Sequence, residues 1–152
     1  MNWFRLIVSI LLAQLAGIIG SLFTEIGSWY QDLIKPSFNP PNWIFGPVWT
    51  ILYLLMGISL YLVWNSKKSK ERKIGLYFFF IQLILNSLWS ILFFGLNNPL
   101  LAFIEIIILW FAILLTLIYF YRVRKAAGYL LIPYLLWVSF ASILNYFILI
   151  LN

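Results

Sequence analysis

The chemistry open to this chain is carried by aromatic rings. It holds 8 Trp, 9 Tyr and 14 Phe in 152 residues, with no His and no Cys. Three sets of these rings fall at helical spacing beside small or polar residues. The first is Gly46, Trp49, Tyr53 and Gly57. The second is Gln82, Asn86, Trp89 and Phe93. The third is Pro133, Trp137 and Ala141, continued by Leu144 or Asn145. Side chains three and four apart share one helix face. Three such faces converging would wall a flat cavity with indole, phenol and phenyl rings. That cavity would suit a flat hydrophobic ligand held by burial and stacking.

The missing residue types narrow the alternatives. Without His or Cys there are no disulfides, no thiol chemistry, no His–Cys zinc site and no Ser-His-Asp or Cys-His nucleophile. The acids are Glu25, Asp32, Glu71 and Glu105, scattered along the chain, so a paired-carboxylate hydrolase is not expected. No Gly-rich phosphate loop is present. No metal site and no cofactor are expected.

These rings must be positioned by membrane helices. Of the residues, 64% are hydrophobic and 9% charged, and the mean hydropathy is +1.01. Soluble domains carry about 25% charged residues. The chain reads as a single all-α integral membrane domain over residues 1–152. Five spans are expected: Phe4 to Phe23, Trp43 to Trp64, Ile74 to Gly95, Leu100 to Tyr121 and Ala126 to Leu151. Each can cross a hydrocarbon core of roughly 30 Å. The first span runs well past a signal-peptide core and reads as a retained helix. Its pairs Ala13/Gly17 and Ala16/Gly20 permit close packing, within the chain or across a dimer.

The formal charge of +6 is distributed by side. Arg5, Lys67, Lys68, Lys70, Arg72, Lys73, Arg122, Arg124 and Lys125 share one side, and Lys35 stands alone on the other. The positive-inside rule then puts the N-terminus in the cytoplasm, with the first loop and the C-terminus outside. The run KKSKERK is a topology anchor beside anionic lipid rather than a nucleic-acid patch; no nucleic-acid partner is expected.

The segment Trp29 to Trp49 holds four prolines and three tryptophans. It is too long and too stiff for a mere connector, and its composition is that of a lid over something flat and greasy. Asn42 could cap the second span after Pro40 and Pro41. Pro47 and Pro133 each free a helix carbonyl and bend their helices. The plainer alternatives have weight. Trp3, Trp29, Trp43 and Trp64 suit an interfacial belt or lid, and Trp110 suits packing or lipid. Trp49, Trp89 and Trp137 read equally well as helix packing and as pocket lining. Asn86 and Gln82 are more often interhelical glue than ligand contacts. Glu105 is the one acid within a span. Such a carboxylate is a functional candidate by default, but it lies about a turn in and could snorkel to the interface.

Across nearly its whole length the chain resembles the translocator protein / tryptophan-rich sensory protein family, also called the peripheral-type benzodiazepine receptor family, and looks like a bacterial-type member. The shared motifs are WY-x-x-L-x-KP-x-F-x-PP at Trp29 to Pro41, FGPVW-x-x-LY-x-x-MG at Phe45 to Gly57, YLVW at Tyr61 to Trp64, LN-x-x-W-S-x-LFFG at Leu85 to Gly95 and LLIPYLLWVSFASILN at Leu130 to Asn145. The resemblance implies a five-helix bundle in a bacterial cell membrane, often a homodimer, with a ligand pocket under the first loop. It implies binding of porphyrins such as protoporphyrin IX, of sterols, and of synthetic isoquinoline carboxamides or benzodiazepines. It places Tyr30, Phe45, Trp49, Tyr53, Asn86, Trp89, Phe93, Trp137, Ala141 and Leu144 in that pocket. Light-driven porphyrin degradation in some relatives makes Trp49 and Trp137 catalytic candidates; tetrapyrrole or sterol transport is a further reading. Two departures stand out. Tyr146 is followed only by FILILN, without the basic residue of the animal sterol pattern. Relatives often carry proline where this chain has Ile91, which implies that the bend there is lost.

Overall fold

A computed structural model describes residues 2–24 and 27–152; Glu25 lies outside them. The elements are α1 (Trp3–Ser21), a short α2 (Ser28–Asp32), α3 (Asn42–Trp64), α4 (Lys70–Ser90) running into a π-helical turn (Ile91–Gly95), α5 (Pro99–Val123) and α6 (Lys125–Leu151). Five of these segments are long and apolar enough to cross a membrane, α4 counting together with its π turn. Helix is the form hydrocarbon enforces, because it satisfies every backbone group within the segment. The expected spans are present, with ends shifted by a few residues.

Side chains set the helix ends. Asn2, Ser69 and Asn98 accept from the backbone N–H of Arg5, Arg72 and Leu101, and Pro99 follows its cap at a position where a missing N–H costs nothing. Asn42 does not cap α3. Pro41 occupies that position without a side-chain bond, and Asn42 is already helical. Both α3 and α6 continue through Pro47 and Pro133. Arg72 of the basic run has a structural task too: its guanidinium donates to the carbonyls of Val63 and Trp64 at 3.1 and 2.9 Å, closing the end of α3.

The spans form a closed ring in the order α1, α3, α6, α5, α4. Small residues permit the close contacts. A Cβ on Gly57 would lie 2.6 Å from Ile10 Cα, and one on Gly128 would lie 2.8 Å from Tyr121 Cα. Ala13 and Ala16 are buried, and Ser87 Oγ of α4 donates to the Ala16 carbonyl at 2.9 Å. The small-residue face of α1 is therefore used within the chain. At the basic end the ring is filled by Met56, Val63, Ala127 and the stacked pair Phe79 and Phe120, whose centroids are 5.5 Å apart.

Midway along the bundle lies a buried polar network. Tyr53 donates to Asn86 Oδ1. Asn86 Nδ2 donates to the Tyr134 hydroxyl at 2.8 Å, and that hydroxyl donates to Gln82 Oε1 at 2.8 Å. Gln82 Nε2 reaches Met56 Sδ at 3.8 Å. This ties α3, α4 and α6 together and makes Gln82 structural glue.

Two variants test this packing. Tyr134→Phe leaves Gln82 Oε1 and Asn86 Nδ2 without partners and should cost about 1–2 kcal/mol; an unaltered thermal midpoint in detergent would show that the network contributes no stability. Gly57→Val forces α1 from α3 and should cost about 1–3 kcal/mol, read as a lower midpoint and a larger aggregated fraction on size exclusion.

Candidate functional site

Above the polar network the ring is empty. A cavity of about 390 Å³ lies between the network and the first loop, reached by all five spans. Small-molecule sites span roughly 300–1,000 Å³. α3 contributes Phe45, Trp49 and Tyr53; α4 contributes Asn86 and Trp89; the π turn contributes Phe93; α6 contributes Trp137, Ala141 and Leu144; the loop contributes Tyr30. All ten residues that the resemblance assigned to a pocket border this cavity. Gly46 and Asn145 border it as well. Gln82, Gly57 and Pro133 do not.

Each wall is fixed by a local device. Trp49 stacks on Tyr53 at 5.5 Å and meets Tyr134 edge-on at 6.1 Å. Trp89 Nε1 donates to Asn145 Oδ1 at 3.0 Å, while Asn145 Nδ2 donates to the Pro99 carbonyl at 3.0 Å. Trp89 is thereby held in one orientation, stacked on Phe93 at 4.9 Å. Ile91 begins a π-helical turn, so the helix is irregular here without the proline. The Leu96 N–H reaches the Ile91 carbonyl at 2.9 Å, a five-residue bond, and Asn97 takes a left-handed φ of 51°. The wide turn needs no proline. It clusters consecutive rings, with Phe93 and Phe94 centroids 4.9 Å apart.

The lid is a folded structure. Trp29 and Tyr30 of α2 pack edge-on against Phe93 at 5.5 and 6.3 Å. Phe38 packs edge-on against Phe147 at 5.3 Å. Asn152 latches the loop, accepting from the Ile34 N–H at 2.9 Å and donating to the Ile34 carbonyl at 3.0 Å. Lys35 Nζ sits 4.5 Å over the Tyr30 ring. Burial raises the Tyr30 phenol pKa, with the Asn39 side chain opposing, so Tyr30 enters the cavity roof as a neutral phenol.

Trp137 differs from Trp89. Its ring lies between Phe45 and Phe140, with centroids 5.9 and 5.4 Å away, yet its buried Nε1 has no hydrogen-bond partner among the described residues. A buried indole N–H usually finds an acceptor. Here the ring lines the cavity, while Nε1 itself is buried in the wall. Glu105 does not snorkel: it is 5% exposed, both oxygens lack partners among the described residues, and it stands outside the cavity wall. The inward turn of α5 carries it into the bundle. Trp110 does pack, and its Nε1 donates to Ser139 Oγ at 2.8 Å, a pairing its own helix could not reveal.

Sequence reasoning missed the wall formed by Gln14, Gly17 and Ser21 of α1 with Thr24 just beyond it, and the α5 residues Ile106 and Leu109. The small-residue spacing on α1 signalled a close approach without naming its partner. Nothing in the apolar run of α5 separates Ile106 and Leu109 from lipid-facing neighbours.

The profile of the TspO/MBR family matches residues 9–151. The chain is 49% identical to a tryptophan-rich protein TspO of Archaeoglobus fulgidus, covering 100% of this chain and 99% of that protein. It is 51% identical to the tryptophan-rich protein TspO of Chlorobaculum tepidum over 90% of this chain and 88% of the relative. Identity to the translocator protein of Homo sapiens is 40%, over 84% of this chain and 78% of the human protein. An all-helical membrane protein with five spanning-length segments and these relatives belongs to the TspO/MBR family.

Proposed function

We propose that the cavity binds a porphyrin, or a comparably flat hydrophobic molecule such as an isoquinoline carboxamide, and that the protein serves as a membrane receptor in tetrapyrrole or stress handling. The observation that carries this reading is the convergence of Phe45, Trp49, Trp89, Phe93 and Trp137 on one apolar cavity. A flat ligand would lie against these rings and bury their faces. The stacked faces of Trp89 and Phe93 supply a second flat wall. The apolar lining supplies affinity by burial, and the Asn152 latch holds the loop over the roof of the cavity. The proposed setting is a bacterial cell membrane, as a homodimer, with the lid outside as the charge asymmetry implies; a reporter fused after Asn152 reads that orientation directly.

A second reading is light-dependent porphyrin degradation. The observation that favours it is the adjacency of Trp49 to Tyr53, stacked at 5.5 Å, with the Tyr53 hydroxyl entering the polar network. An indole oxidised by an excited porphyrin would have a phenol beside it to share the electron hole.

Titration with protoporphyrin IX in the dark, followed by tryptophan fluorescence, tests the first reading. Trp137→Ala should weaken binding about 10–100-fold, from the lost stacking and burial at about 1.4 kcal/mol per factor of ten. Trp110→Phe, away from the cavity, should bind as wild type. Equal affinity in Trp137→Ala would remove the pocket assignment. For the second reading, illumination in air should bleach the Soret band more slowly in a Trp49→Phe, Trp137→Phe double variant; equal bleaching would leave adventitious photochemistry alone.

A further inference from the structure

The lid covers the cavity along the bundle axis, yet the cavity is open at the side. Ile18 and Ser21 on α1 and Gly46 and Thr50 on α3 all border it, and all four are exposed on the lateral surface. They bound a gap between these two helices. The gap has a structural origin. Near the basic end α1 and α3 touch backbone to backbone, with a Cβ on Gly57 placed 2.6 Å from Ile10 Cα. About 16 Å further along α3, by the rise of a helix, lies Gly46, where a Cβ would meet nothing within 4 Å. Between these points α1 leaves α3 for α4: Ser87 Oγ donates to the Ala16 carbonyl at 2.9 Å, and a Cβ on Gly20 would lie 3.2 Å from Ser90 Oγ. Gln14 Nε2 bridges to the Thr50 carbonyl at 3.2 Å at the base of the opening.

The rim suits hydrocarbon. Ser21 Oγ donates to the Ile18 carbonyl at 2.7 Å and Thr50 Oγ1 to the Gly46 carbonyl at 2.9 Å. Neither hydroxyl is an orphan donor in lipid, and each keeps lone pairs for the polar edge of a passing molecule. The axial route is different. It requires parting the Asn152 latch and lifting Tyr30 and Phe38 from their aromatic contacts.

Building on the reading of this cavity as the ligand site, we propose that ligand enters laterally from the bilayer through the slot between α1 and α3, with Gly46 as its sill. The substrate class is then an amphiphile already dissolved in the leaflet on the lid side, presented edge-first, rather than a molecule taken from water.

The test uses the full chain in phosphatidylcholine vesicles, with protoporphyrin IX delivered from donor vesicles and stopped-flow tryptophan quenching. Gly46→Phe places a ring in the slot at a position where a Cβ meets no atom. It should slow association and dissociation together, by about tenfold or more each, so that their ratio moves far less than either rate. Asn152→Ala, which loosens the lid, should leave the association rate at the wild-type value. Wild-type rates in Gly46→Phe together with faster rates in Asn152→Ala would overturn the lateral route. A second measurement needs no porphyrin. The chain has no cysteine, so Gly46→Cys carries a single nitroxide. Relaxation by dissolved oxygen, and not by a water-soluble nickel chelate, is expected of a slot facing hydrocarbon. The reverse result would overturn the slot whether or not the wild type binds protoporphyrin IX. Absence of quenching in the wild type would instead overturn the ligand.

Discussion

Inside a membrane a polar side chain has no water to turn to, and that constraint organises this protein. Tyr53, Asn86, Tyr134 and Gln82 bring phenol, amide, phenol and amide together from three helices, and each meets a partner from another span. The network fixes the rotation of α3, α4 and α6 about their axes, because a helix turned by one residue would strand its polar group in hydrocarbon. With those rotations set, the rings one turn above the network must face inward. Trp49 lies one turn from Tyr53, Trp89 lies three residues from Asn86, and Trp137 lies three from Tyr134. The polar floor therefore aims the aromatic walls.

The two ends of the ring are built differently. At the basic end bulky side chains fill the lumen, and Arg72 ties the neighbouring helix terminus. At the lid end α1 leans toward α4, the π turn widens α4 and Gly46 presents no side chain. A ring that is packed at one end and spread at the other holds a cavity without a void in its core. The lid closes it with aromatic contacts and a two-bond amide latch, weak enough singly to open and sufficient together to order the loop.

Not every polar group is accounted for by this frame. The Trp137 N–H and the Glu105 carboxylate are both buried without partners among the described residues. The first belongs to a ring that lines the cavity, with the N–H itself buried in the wall. The second stands behind the wall, and no hydrogen bond among the described residues accounts for it.

Much of this was legible in the residues themselves. Spans follow from hydropathy because length and apolarity alone decide what a bilayer accepts. The faces of α3, α4 and α6 follow from spacing, because helical geometry fixes which side chains point together. The motif resemblance added Tyr30, whose place on the loop has no periodicity to reveal it. Other features were settled only by packing. Glu105 was taken inward rather than to the interface, Trp110 found a hydroxyl on α6, and Ile91 opened a π turn where the absence of proline argued for a straight helix. Each depends on which helix stands opposite, and one span's sequence does not name its neighbour. The ring order α1, α3, α6, α5, α4, and with it the α1 wall and the open side at Gly46, belongs to the tertiary structure for the same reason: hydropathy and spacing describe each helix alone, while a cavity is a property of the space between them.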